Sequence, residues 1–204
     1  MNDKFVVAIS RQYGSGGHEI GRKLAKKLGV KFYDKGLLAQ IAKTSGMSQN
    51  IVEYYDEMPT KSLLFSLAMD AYPMSFAEVP LNQKVYQAQV ETIKQLADKE
   101  PCVIIGRCAD SILSGDPKLV SVFLHSDMNT KIERVMERDN LPRDKAREKI
   151  IKTDKKRASF YNFYSLDKQW GEANSHDLTI DSGKLGVDAT TVLIYDYLKI
   201  RGML

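Results

Sequence analysis

The residues best suited to chemistry are a glycine-rich stretch, Gly14-Ser15-Gly16-Gly17, with Arg11 just before it and His18-Glu19 just after. Backbone N–H groups in such a loop can all turn inward, and a helix that starts there adds its positive N-terminal end. Together they cradle phosphate oxygens without a dedicated side chain. The standard phosphate-loop pattern, G-x-x-x-x-G-K-[ST], is nevertheless not met. With Gly16 as its second glycine, Arg11 replaces the first, Gly17 stands at the lysine position and His18 at the hydroxyl position. Two roles are left open: the cation on the terminal phosphates and the ligand to magnesium. Arg11 is the first candidate for the cation, because a guanidinium forks onto phosphate oxygens, and His18 is the second. Ser15 is a candidate hydroxyl for the metal.

The context of the loop decides whether it binds anything. Residues 5–9 form a short, β-branched apolar run, the pattern of a strand buried on both faces. From 18 to 28 the pattern is helical, with Ile20, Leu24, Ala25 and Leu28 on one side and Gly29 as a stop. The rest of the chain repeats this alternation. Strands are expected at 30–33, 102–105, 119–124 and 177–180, and helices at 37–43, 48–56, 85–99, 108–113, 127–138, 143–164 and 187–198. Residues 58–80 hold three prolines and read as helical pieces with loops. Strand alternating with helix predicts an α/β fold, a five-stranded parallel sheet flanked by helices in three layers.

Composition narrows the classes. The 204 residues fit one domain, with 43% apolar and 27% charged residues and a net charge of +4. That mild excess suits an acidic small molecule. Lys and Arg alternate with Asp and Glu instead of forming the basic stripe of a nucleic-acid binder, which argues against nucleic acid as a partner. The two cysteines, Cys102 and Cys108, lack zinc or disulfide spacing, and Cys102 reads as a core residue. No apolar run approaches the ~20 residues of a membrane span, and no signal-peptide pattern opens the chain. The cytoplasm is the expected compartment.

In sequence, the chain resembles the cytidylate kinase-like family, a branch of the nucleoside monophosphate kinases with a P-loop NTPase fold. Three groups of residues carry the resemblance: the stretch from Ile9-Ser10-Arg11-Gln12-Tyr13 through His18-Glu19-Ile20-Gly21; Phe32-Tyr33-Asp34-Lys35 and Ile105-Gly106-Arg107; and Asp154-Lys155-Lys156-Arg157 and Asp181-Ser182. The family usually has Arg where this chain has His18. Cytidylate kinases keep the loop lysine and transfer the γ-phosphoryl group of ATP to a nucleoside monophosphate. The resemblance implies ATP with Mg²⁺ on Gly14, Ser15, Gly16, Gly17, His18 and Glu19, and an acceptor such as CMP near Asp34 and Arg107. It implies a helical acceptor-binding insert at 37–99 and a lid at 139–158.

Arginines from a closing lid would stabilise charge on the transferring oxygens. Of Arg134, Arg138, Arg143, Arg147 and Arg157, the choices are Arg134, Arg138 and Arg157, with Arg11, as catalytic residues. Asp34 reads equally as a helix cap, Arg107 also as a surface salt bridge, and Asp110 as a metal ligand through water or a helix-surface carboxylate. Tyr161, Tyr164 and Trp170 read as packing residues, with base stacking as the other role. The loop at Asp181-Ser182-Gly183 corresponds to one that passes the adenine in related kinases. The vacant lysine position keeps two other classes open: a nucleotide-binding sensor without catalysis, and an interaction module on an inherited fold. The stretch 63–79 is a candidate surface for a homodimer.

Overall fold

Two apolar faces along one strand demand cover from both sides, and the computed structural model, which describes residues 4–58, 79–165 and 167–204, supplies it. Strand β1 (Val6–Arg11) is central. It pairs in parallel with β3 (Cys102–Ile105), Val6 opposite Cys102, and with β4 (Leu119–His125), Val6 opposite Leu119. Short strand β2 (Lys31–Tyr33) flanks β3, and β5 (Leu178–Asp181) flanks β4. The five-stranded sheet has the order β2-β3-β1-β4-β5, all parallel, as the alternation of elements predicts.

The two faces build two cores. Val7 and Ile9 join Val103, Ile105, Val120 and Val122 beneath α1 (Gly17–Leu28) and α8 (Ser182–Ile200). Val6 and Ala8 join Cys102 and Ile104 beneath α2 (Lys35–Ser45), α3 (Gln49–Tyr55) and α4 (Leu81–Lys99). The helix expected at 85–99 is α4, and it buries one side throughout, from Val85 through Ala88, Gln89, Thr92 and Ile93 to Leu96. Helix α6 (Met128–Asp139), capped by the Asp127 carboxylate, pairs with the long α7 (Arg143–Tyr164) through Ile132, Val135, Ala146 and Ile150. A single-turn helix, α5 (Ala109–Ile112), follows β3.

Boundaries moved where caps act. Asp181 accepts from the N–H groups of Gly183 and Lys184 and so starts α8 ahead of the expected 187. Gly186, at φ 76°, then breaks the helix before it resumes at Val187. Ser48 caps α3 as a helix-start serine should, accepting from the Ile51 N–H. Of the stretch 58–80, residues 59–78 lie outside the described residues, and so does the candidate dimer surface apart from Val79. Among the described residues no helix is long and apolar enough to cross a membrane.

One buried group makes the fold sensitive to acid. The His176 side chain is 0% exposed, its Nδ1 lies 3.5 Å from Asp110, and neither ring nitrogen has a hydrogen-bond partner. Burial holds its pKa below the ordinary 6.5, against the pull of Asp110. The unfolded chain therefore binds a proton that the folded one resists, and stability falls as pH drops below about 6.5. Urea unfolding between about pH 7.5 and pH 5.5 checks this: His176→Phe should flatten the loss of stability seen in the unsubstituted protein over that interval.

Candidate active site

All five strands end on one edge, where open α/β sheets take their ligands. A cleft of about 1160 Å³ opens there, lined by the glycine loop, Arg11, Asp34, Arg107, Arg134 and Arg157 among others. At its floor Gly14 and Gly16 have φ of 84° and 81°, values that glycine adopts without strain. A Cβ on Gly14 would also meet the backbone carbonyl of Lys131 at 2.9 Å.

Gly17 is required for a different reason. Its φ is ordinary, but a Cβ there would lie 2.8 Å from Cβ and 3.0 Å from Cγ of Arg11. The Arg11 side chain thus occupies the space that a side chain at 17 would need. An arginine at the loop's first glycine position thus excludes a side chain at its lysine position. Arg11 then runs on to Gly106, where a Cβ would meet its Nη1 at 2.0 Å, and ends on Glu57 Oε1 at 3.1 Å. It therefore lies between the loop and the far side of the cleft.

The loop is held from behind by residues of α6 and α7. Lys131, buried on α6, donates to Gln12 Oε1 at 2.9 Å and pairs with Asp154 at 3.3 Å. Asp154, on α7, accepts from the Tyr13 backbone N–H at 2.6 Å. The Tyr13 hydroxyl donates to Asp139, and its ring lies under the guanidiniums of Arg138, at 4.7 Å, and Arg157, at 5.6 Å. Arg138 and Lys149 both pair with Asp139, which holds that carboxyl well below the usual range. Arg134 reaches over the loop, 3.4 Å from the carbonyl of Gly14 and 3.4 Å from that of Ser182. Ser182 ties back through its hydroxyl, 2.7 Å from the Ser15 carbonyl. The expected lid arginines 134, 138 and 157 therefore converge on the loop, while Arg143 turns away to Asn129.

On the other side of the cleft, guanidiniums and carboxylates interlock. Gly106, Arg107 and Cys108 have φ of 70°, 54° and 55°, a left-handed turn that costs the two non-glycine residues roughly 1 kcal/mol or more each. The turn buries Arg107, 4% exposed, so its pairing is internal and not the surface salt bridge expected as the alternative. Its guanidinium takes both oxygens of Asp56, at 3.0 and 3.3 Å, and its carbonyl accepts from Gln89. Asp34 occupies the cap position of α2 without capping it. Its carboxylate instead faces His18 Nε2 at 3.1 Å and Arg107 Nη1 at 3.7 Å. Glu57 sits between Arg11, at 3.1 Å, and Arg157, at 3.3 Å. Burial pushes Glu57 up, but Arg11, Arg157 and Arg107 together hold it down at about 2.

Two candidates lie elsewhere. The Ser15 hydroxyl is fully buried and donates to the Gln12 carbonyl at 2.8 Å. Asp110 is 1% exposed, not a helix-surface carboxylate. It accepts from the Tyr161 hydroxyl at 2.6 Å and is absent from the cleft lining. Neither side chain presents an oxygen to the cleft, so neither fits a magnesium ligand, and among the described residues no cluster of three or more His, Cys, Asp or Glu is arranged for a metal. Glu19 is exposed beside Lys23. Tyr161, Tyr164 and Trp170 pack with Cys108 and Phe160. Asp56, Glu57 and Lys131 are the residues around the cleft that no local pattern singles out.

A glycine loop between β1 and α1, at the carboxyl edge of a five-stranded parallel sheet flanked by helices, is the arrangement of a P-loop kinase fold. The chain belongs to the cytidylate kinase-like family, whose model matches residues 6–184. It is similar to a protein named cytidylate kinase from Staphylothermus marinus, 22% identical over 95% of this chain and 96% of that one. Among solved structures it is similar to an uncharacterized protein from Eubacterium ventriosum, 31% identical with a TM-score of 0.73, covering 96% of this chain and 98% of that one. It shares its fold with a shikimate kinase from Acinetobacter baumannii, 15% identical with a TM-score of 0.53, covering 98% of this chain and 96% of that one.

The supports behind the loop predict a coupled loss. Lys131→Met leaves Asp154 buried without its cation and should cost about 3 kcal/mol. Adding Asp154→Asn should restore part of that loss, so denaturant unfolding of the double-mutant cycle should show a coupling energy of about 1 kcal/mol or more.

Proposed function

We propose that this protein transfers the γ-phosphoryl group of ATP to a small phosphorylated acceptor, a nucleoside monophosphate such as CMP. The observation that carries the reading is the position of Arg11, stretched from the glycine loop to the Arg107 turn, so that one cation spans both halves of the cleft. The names of the relatives support the nucleotide class.

In this reading ATP lies with its phosphates on Gly14, Ser15, Gly16 and Gly17, held by backbone N–H groups and the N-terminal end of α1. His18 and Glu19 border the phosphates at the helix start. Arg134 sits over the loop and steadies the nucleotide. Arg11, Arg138 and Arg157 offset negative charge that spreads over the transferring oxygens. Asp34 and Arg107 orient the acceptor, with the 37–99 segment as its wall and 139–158 as the lid. Magnesium would neutralise the phosphates of ATP, but Ser15 and Asp110 do not build a site for it. A phosphate acceptor is already anionic, so positioning does the work that a general base does elsewhere. The reading includes a cytoplasmic location.

Gly17 favours one other reading: a nucleotide-binding protein that does not turn over, because the loop lysine is gone. Calorimetry with ATP and Mg²⁺, followed by a coupled assay with CMP, separates the two. Phosphoryl transfer to CMP in preference to shikimate is the expected result, with Arg134→Ala weakening ATP about tenfold or more, the worth of a charge-assisted contact. Binding without transfer to any nucleoside monophosphate would decide for the silent protein. No ATP binding up to millimolar concentration would sink the kinase reading.

A further inference from the structure

Asp110 lies outside the cleft, yet its buried carboxylate joins three elements that line it. Oδ2 accepts from the Tyr161 hydroxyl of α7 at 2.6 Å, and Oδ1 accepts from the Ser10 hydroxyl of β1 at 3.5 Å. Nδ1 of the His176 ring lies 3.5 Å from Oδ2, and Lys168 donates to the Asp110 backbone carbonyl at 3.3 Å. Each element so joined carries a cleft arginine. Ser10 precedes Arg11, Asp110 follows Arg107 by three residues, and Tyr161 stands one turn beyond Arg157, where i and i+4 share a helix face. A single small cavity is lined by Ser10 and Tyr161 together with Arg11, Arg107 and Arg157.

Two of the three arginines are fixed without Asp110. Arg107 is held by Asp56, by Asp34 and by the Ile105 carbonyl. Arg11 rises from β1, which is paired on both sides. Arg157 depends on where α7 runs. Between Ile150 and Phe160 that helix has no fully buried side chain, so its course past the cleft is set by what anchors it at Phe160 and Tyr161. Tyr161 is 2% exposed. Burial, and then Asp110, hold its hydroxyl well above the ordinary phenol range, so it stays a donor. A buried carboxylate adds little to stability even when it is paired, and what it supplies is one defined arrangement of its partners.

We propose that Asp110 is a positioning residue for the transfer step: through Tyr161 it pins α7 to the Arg107 turn, and so sets where Arg157 stands against Arg11 and Glu57. This deepens the function proposed above and rests on it for the effect on rate. The role is geometric. It needs an acceptor for the Tyr161 hydroxyl at that spot, and an asparagine amide supplies one, with an NH₂ left for the Ser10 oxygen. The segment 139–158 ends three residues before Tyr161, so the pin is the fixed end of that lid. Placement to within an ångström is what such a support contributes to a reaction that runs on positioning.

The test compares the full chain with Tyr161→Phe, Asp110→Ala and Asp110→Asn. With ATP, Mg²⁺ and CMP, Tyr161→Phe and Asp110→Ala should lower kcat about tenfold and leave KM for ATP within about twofold, because the loop and Arg134 hold the nucleotide. Asp110→Asn should keep most of kcat. A second readout needs no turnover: solvent exchange of the guanidinium Nε–H protons, followed by NMR in the unliganded protein. Arg157 Nε donates to Glu57 at 3.3 Å and Arg107 Nε to Asp56 at 3.0 Å, so both start protected. In Tyr161→Phe the Arg157 proton should exchange about tenfold faster, as local opening without global unfolding does, while the Arg107 proton keeps its protection. If Asp110→Ala does not fold, Tyr161→Phe, which keeps the ring, and Asp110→Asn carry the test. Unchanged exchange at Arg157 would overturn the proposal, and so would equal loss at Arg107, the mark of a general loss of stability. Arg157 loosened with kcat intact, or Asp110→Asn as impaired as Tyr161→Phe, would also overturn it. No transfer to CMP by the unsubstituted protein defeats the kinase reading instead, and the Nε–H exchange still decides whether the pin exists.

Discussion

The path of one side chain governs this site. Arg11 leaves the end of the central strand, passes where a Cβ at position 17 would be, and rests against Gly106 before reaching Glu57. Steric exclusion at 2.8 Å keeps residue 17 a glycine, and a φ of 70° favours glycine at 106. The loop thus has no room for a side chain at 17, because Arg11, six residues earlier in the chain, fills that space. A guanidinium anchored on a strand is carried by the most rigid element of the sheet, β1, paired on both sides.

From that placement the electrostatics of the cleft follow. Arg11, Arg107 and Arg157 crowd one side, and the chain meets them with Asp34, Asp56 and Glu57. Charges with this little exposure are tolerated only in pairs, which is why each carboxylate is bonded in the absence of ligand. The opposite wall repeats the device on a smaller scale, with Tyr13, Arg138, Lys149 and Asp139 linking the loop to α6 and α7. The phosphate-binding loop is therefore mechanically joined to the helices that carry the arginines. Asp154 and Lys131 complete that joint from below.

Much of the scaffold is legible in the sequence. The β-branched runs at 6–9 and 102–105 are short, apolar and bounded by breaks, so they can only be buried strands. The stripe on α4 has unambiguous helical spacing. The glycine loop announces itself because φ near +80° at Gly14 and Gly16 tolerates little else. What stayed hidden is the partnership between distant charges. Arg11 and Glu57 are 46 residues apart, Arg157 and Glu57 100, and Lys131 and Gln12 119. No local pattern encodes such pairs. Asp110 is instructive in the other direction. A carboxylate in a short helix after a strand reads as a surface group, yet Tyr161 and Ser10 from other elements satisfy it in the core. Asp34 shows that a residue can hold the cap position and still turn its side chain elsewhere when a buried arginine is near.

The space shared by Arg11 and a side chain at 17 is measured by a double-mutant cycle in stability. Gly17→Lys, Arg11→Gly and the combination Arg11→Gly/Gly17→Lys would be unfolded in denaturant. Gly17→Lys alone should cost about 1–3 kcal/mol through overpacking against Arg11, and Arg11→Gly should relieve that cost, so that the pair is more stable than the sum of the single effects. If Gly17→Lys is tolerated beside Arg11, or if the two changes simply add, Arg11 does not exclude a side chain at 17.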